Sequence, residues 1–163
     1  MNVAEKLATI AENQKAVYDA GRKPLRDLIQ RTITEIAIDC ETIGHSAFRG
    51  CEYLTKVDFP AATVIQVQVF AYCSSLTAVI LRSETLCRLV NVNAFQSCLH
   101  FHGTVDSTYN PNGETDGYIY VPAALVDSYK AATNWSTIAA QFRALEDYTV
   151  DGTTTGELDP DKI

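Results

Sequence analysis

"AFRGCEYLTKVDFP" occupies residues 47–60, and "VFAYCSSLTAVILR" occupies residues 69–82. Set one above the other, Phe48 and Phe70 lie 22 residues apart, as do Cys51 and Cys73, Leu54 and Leu76, Val57 and Val79, and Phe59 and Leu81. Five coincidences at one period mark an internal repeat. The pattern extends in both directions. Upstream, Ile33, Ile36 and Ile38 keep the spacing of Leu54, Val57 and Phe59. Downstream, Ala94, Phe95 and Cys98 repeat Ala47, Phe48 and Cys51, with Phe101 at the leucine position. The next strand is delayed by a polar insertion at 102–117 and resumes as "YIYVP", where Ile119, Val121 and Pro122 match Val57, Phe59 and Pro60. Ile43, Ile65 and Val90 each precede their Phe by five residues.

The alternating apolar residues of "KVDF" and "AVIL" predict short strands with one buried face. The Ala-Phe-x-x-Cys segment predicts a helical or 3₁₀ turn on the opposite wall, with its ring turned inward. One such unit cannot bury its own apolar face, so the units must stack. Cys51, Cys73 and Cys98 then form a column of small apolar thiols. By alternation Lys56, Asp58, Ala78, Ile80, Tyr118 and Tyr120 point away from the core. Ile80 beside two tyrosines reads as an outward apolar patch, either a binding surface or a face covered by the cap or by the 102–117 loop.

Residues 2–20 read as a helix. Val3, Leu7, Ile10, Gln14 and Val17 are spaced 4, 3, 4, 3, a seam of period 3.5 with one polar member. A helix this short needs a partner. The seam fits either packing on its own domain or a short coiled coil, with Gln14 setting the register. Gly21 and Pro24 end the helix, and a second short helix is expected over 25–31. At the other end, Pro122 suits the first turn of a helix carrying Leu125, Val126 and Tyr129. Asn134 is placed to cap the next, on which Trp135, Ile138, Phe142 and Leu145 recur at helical spacing. These elements are expected to seal the stack. The last stretch, 149–163, is acidic and polar and reads as a flexible tail.

The chain of 163 residues carries a formal charge of −7. That excess of acid argues against a nucleic-acid groove or an anionic membrane surface. No apolar run approaches the roughly 20 residues of a membrane span. The N-terminal stretch has no basic region followed by an apolar core, so it does not read as a signal peptide. Five cysteines without a CxxC pair point neither to a disulfide framework nor to a zinc knuckle. Cys98, His100 and His102 alternate and bring a metal to mind, but Cys98 sits at the core position of the repeat. His45 falls where other repeats carry Val67 and Val92, so partly buried packing is expected. No nucleophile elbow or phosphate loop occurs, and no catalytic residue, metal site or cofactor is assigned.

The motif "IGHSAFRGCEYLTKVDFP" (43–60) resembles the BspA-like leucine-rich repeat of bacterial surface proteins and of proteins from phages of Firmicutes. "GYIYVPAALVDSYKAATNWSTIAAQFRAL" (117–145) resembles the closing segment of such arrays, a last strand followed by capping helices. "VAEKLATIAENQKAVYDAGRK" (3–23) is similar to leaders of phage or prophage proteins that carry these repeats. The resemblance implies an α+β repeat fold, a short leucine-rich-repeat solenoid with a small parallel sheet. It would hold an N-terminal helical segment (1–31), repeats (32–122), a helical cap (123–148) and a tail (149–163). It implies a non-enzymatic structural or adhesion protein, virion-associated at the tail or baseplate. Its partners would be its own copies, as in a trimer, and other virion or host-surface proteins. The alternatives are an acidic module that binds a host or bacterial protein, and a small glycan-acting enzyme.

Overall fold

The computed structural model describes residues 33–101 and 116–148. Two parallel sheets run along a stack of repeats. The larger holds five strands in the order β1 (Glu35–Ala37), β3 (Lys56–Phe59), β5 (Ala78–Leu81), β7 (Tyr118–Val121) and β8 (Phe142–Ala144). The smaller joins β2 (Thr42–Ile43), β4 (Val64–Ile65) and β6 (Arg88–Leu89). Register follows the repeat. Ile36 pairs with Val57, Val57 with Val79 and Val79 with Ile119, and all four side chains are buried in one core. Threonines lock the strand entries: Thr55 Oγ1 donates to the Thr34 carbonyl at 2.9 Å, and Thr77 Oγ1 to that of Thr55 at 3.3 Å.

The aromatic turns form the wall between the sheets. Phe48, Phe59 and Phe70 stack with centroids 6.0–6.1 Å apart, and Phe95 continues the row 5.4 Å from Phe70. Full burial of one such ring is worth about 1.5–3 kcal/mol, so the row supplies much of the cohesion between units. Cysteine suits its column because it fills a small space and still donates a weak hydrogen bond. Cys73 Sγ donates to the Phe48 carbonyl at 3.1 Å, and Cys98 Sγ to that of Phe70 at 3.0 Å. Each thiol thus reaches back to the preceding turn. Burial pushes the Cys73 thiol well above its ordinary range and those of Cys87 and Cys98 up to about 12.

The third repeat departs from the 22-residue period. Phe95 follows Phe70 by 25 residues, and Ile65 pairs with Leu89, so Leu89 rather than Val90 fills the small-sheet column. The turn itself becomes a 3₁₀ helix, Val92–Phe95, with Asn91 Oδ1 accepting from the Asn93 amide at 2.9 Å.

The cap differs from the expected pair of helices. Pro122 precedes a 3₁₀ turn, Ala123–Leu125, and a six-residue helix α1, Val126–Ala131. Asn134 does not cap with its side chain. It adopts φ 67°, and its Nδ2 donates instead to the carbonyls of Leu89 and Val90. After 3₁₀ turns over Trp135–Gln141, Phe142 enters strand β8 parallel to β7, with Ile119 opposite Phe142. Periodicity placed Phe142 on a helix, but a last strand covers the hydrogen-bonding edge of β7 that a helix would leave open. Trp135 packs against the last turn of the described repeats. Its ring lies 6.0 Å from Phe95, and its Nε1 donates to the Cys87 carbonyl at 2.6 Å. The Tyr129 hydroxyl accepts from the Cys87 amide at 2.8 Å. No helix among the described residues is long and apolar enough to cross a membrane. The segment 1–31, with Val3, Leu7, Ile10, Gln14 and Val17, lies outside the described residues, as do most of the insertion and the tail.

Candidate interaction surface

The large sheet turns one face to the core and one away from it, as alternation requires. In register, the outward columns read Glu35, Lys56, Ala78, Tyr118 and Ala37, Asp58, Ile80, Tyr120, Arg143. The face divides in two along the stack. On the side of β1 and β3 it is charged. Lys56 Nζ lies 3.3 Å from Glu35 Oε2, an exposed pair that contributes little to stability. Asp58 is held by Arg82 in a two-point grip, with Nε 2.9 Å from Oδ1 and Nη2 2.8 Å from Oδ2. These two side chains are largely shielded from solvent, and the planar pairing fixes both heads.

On the side of β5 and β7 the expected apolar patch is not open. Ala78, Ile80 and Tyr120 are buried in a second, small core with Leu145, and Tyr118 packs against it half-buried. The 3₁₀ segment Leu145–Tyr148 crosses the outward face after β8, and Leu145 closes over the patch. Arg143 lies over the Tyr118 ring at 4.4 Å from its centroid. Glu146 Oε2 accepts from the Ala123 amide at 2.8 Å, tying this segment to the start of the cap. Of the six residues that alternation selected, Lys56, Asp58 and Tyr118 therefore keep solvent contact, whereas Ala78, Ile80 and Tyr120 are covered.

The turn wall carries exposed aromatic residues that alternation did not select. Tyr53 is 53% exposed and Tyr72 41%, and Arg49 stands over the Tyr72 ring at 5.3 Å while donating to Gln68 Oε1. The available signal was their place in the repeat. Tyr53 corresponds to Ser75 and His100, and Tyr72 to Gly50 and Ser97, all positions outside the shared apolar set. His45 is exposed, not packed, and its Nδ1 shares a hydrogen bond with Ser46 Oγ at 2.9 Å.

The insertion is pinned at its base. The Gly117 amide donates to the His100 carbonyl, and Gln141 Nε2 donates to the carbonyls of both His100 (2.9 Å) and Gly117 (2.7 Å). A Cβ at Gly117 would meet the His100 carbonyl at 2.7 Å, so only glycine fits this close approach. His100 Nδ1 lies 2.6 Å from Asp116 Oδ1. Cys98 points into the core, away from any ligand set with His100, and His102 lies outside the described residues. Among the described residues no three His, Cys, Asp or Glu side chains are grouped to hold a metal.

Compared with known families, residues 28–105 match the BspA type leucine rich repeat region, in 6 copies. The match spans all three aromatic turns, strands β1 to β6 and the charged half of the outward face. No curated protein matches the chain.

Proposed function

We propose that the stack, similar over residues 28–105 to BspA type leucine-rich repeats, works without catalysis as a protein-recognition or adhesion module on a phage particle, at its tail or baseplate. The observation that carries the recognition part is the solvent-facing pair of Glu35 and Lys56 beside the more shielded Asp58–Arg82 pair on a parallel sheet. A fixed, charged and flat array suits a folded protein partner. The exposed Tyr53 and Tyr72 add aromatic contacts of the kind that anchor interfaces. The particle assignment rests on the leader at 3–23. In this reading the seam of Val3, Leu7, Ile10, Gln14 and Val17 joins copies into a homo-oligomer such as a trimer and so multiplies weak contacts.

The test is to purify particles on a density gradient from cells carrying the gene and probe the fractions with antibody to this chain. Co-sedimentation with particles is expected. A chain that stays wholly in the particle-free fractions sinks the virion assignment. Binding of those particles or of host cells to immobilised protein should fall at least about tenfold in K56E/D58K. Unchanged binding would remove the strip from the account.

The acidic balance, −7 overall, favours a second reading, a module for a basic protein partner off the particle. It is distinguished by capture that survives without particles and weakens steeply with salt.

A further inference from the structure

The turn wall repeats one backbone conformation. Gly50, Tyr72 and Ser97 hold one position in three turns, at φ 75°, 65° and 58°, and Ser46 and Gln68 hold another, both at 56°. A left-handed backbone strains a residue that carries a side chain, whereas glycine takes it without strain. The first turn shows that glycine serves at this position, yet the second carries a tyrosine that is 41% exposed. Its contact with Arg49, 5.3 Å from the ring centroid, and the buried part of the ring do no more than offset that strain. Strain held at an exposed aromatic side chain, with no net return to the fold, points to recognition.

The side chains around this ring are polar. Arg49 Nη1 donates to Gln68 Oε1 at 3.4 Å, so the guanidinium that backs Tyr72 is itself held by an amide from a second left-handed position. Tyr53, 53% exposed, belongs to the same turn as Arg49, and the next turn sets Ser75 at its position with Ser74 beside it. Among the described residues the other exposed large apolar side chains are Leu86 and Leu99, which lie beyond these two turns. The wall of the first two turns thus shows two rings among hydroxyl, amide and guanidinium groups, without the aliphatic core of a protein interface.

We propose that this wall binds a neutral pyranose unit of a surface glycan, with Tyr72 and Tyr53 as its stacking rings. The proposal rests on the adhesion part of the function above and gives it a ligand class on a face other than the charged strip. A pyranose carries polarised C–H groups on its face and hydroxyls around its rim. The face suits the electron-rich face of a tyrosine ring. The rim suits the fixed amide of Gln68 and the hydroxyls of Ser74 and Ser75, which both donate and accept. A neutral sugar meets no repulsion from a chain of charge −7, whereas an acidic polysaccharide would.

Ring spectra of tyrosine-labelled full-length protein, titrated with chitotriose, maltotriose or cellotriose, test this. At least one sugar should shift the Tyr72 and Tyr53 signals saturably by about 20 mM, a concentration that fills a site of about 1 mM affinity. The Tyr129 ring, buried in the cap, should stay still. Y72A should weaken the response of Tyr53 by about tenfold or more, with the amide spectrum of β3 and β5 unchanged as the check on folding. No saturable shift of either ring with any of the three sugars overturns the proposal, as does a response of Tyr53 that Y72A leaves intact. Loss of host-cell binding in Y72A while no sugar moves a ring assigns the wall to a protein partner and also overturns it. The sugar response should persist in K56E/D58K and without particles, so its failure is separate from failure of the strip or of the virion assignment.

Discussion

Gly50, Tyr72 and Ser97 occupy one position in three successive turns (50 + 22 = 72, 72 + 25 = 97) and all adopt positive φ, at 75°, 65° and 58°. Only the first is glycine. Ser97→Gly should therefore stabilise the protein, and the size of the effect follows from three parts. Relief of the left-handed backbone is worth about 1–2 kcal/mol. The extra freedom of glycine in the unfolded chain takes back about 0.5–1 kcal/mol. The Ser97 hydroxyl is buried without a partner among the described residues, and removing an unpaired hydroxyl returns about 1 kcal/mol. The net gain is about 1–2 kcal/mol, or a Tm higher by about 3–6 °C for a chain of this size. Circular-dichroism melting and the urea midpoint at unchanged m-value read it directly. The sister positions provide controls. Tyr72→Gly should gain nothing, because it forfeits the Arg49 contact at 5.3 Å, worth about 0.5–1 kcal/mol, together with the buried part of the ring. Gly50→Ala should cost about 0.5–1 kcal/mol, the strain exceeding the loss of unfolded freedom. An S97G protein no more stable than the parent by both measures would refute the reasoning.

Buried thiols give a pH dependence of definite sign. Burial raises the folded-state values of Cys73, Cys87 and Cys98, so the unfolded chain releases these protons first as pH climbs past about 9. Stability is intact below that point and should fall by up to about 1.4 kcal/mol per pH unit for each thiol above it. Urea midpoints from pH 8 to 10.5 should decline, less steeply in C87A; a flat profile contradicts the buried column. At pH 8 a thiol reagent should modify only Cys40 quickly, since the other four are buried; a second fast thiol would show an opened stack. Gly117→Ala should destabilise by about 2 kcal/mol through the 2.7 Å clash with the His100 carbonyl, and a neutral urea midpoint would mean the base of the insertion is not held as described.

What could be read from the sequence was what the chain states more than once. Phe48, Phe70 and Phe95, the cysteine column, and the register of Val57 against Val79 and Ile119 all follow from superposing copies. Each copy buries its apolar set only by stacking on the next. The single-copy features were less legible. Trp135, Ile138, Phe142 and Leu145 fall at helical spacing, yet Phe142 is drawn into β8 by the open edge of β7. Once Phe142 is extended, alternation sends Leu145 to the far side of the sheet, over Ile80 and Tyr120. The same event thus explains both departures, the missing helix and the covered patch. Alternation tells which face a residue takes, but nothing in the local pattern tells what will lie over that face. The outward apolar residues Ala78, Ile80 and Tyr120 are then interior ones, covered by Leu145 of the 3₁₀ segment that follows β8. Lys56 and Asp58 stand where the next strand carries Ala78 and Ile80, and among the described residues Leu145 closes over the half that holds Ala78 and Ile80, not theirs.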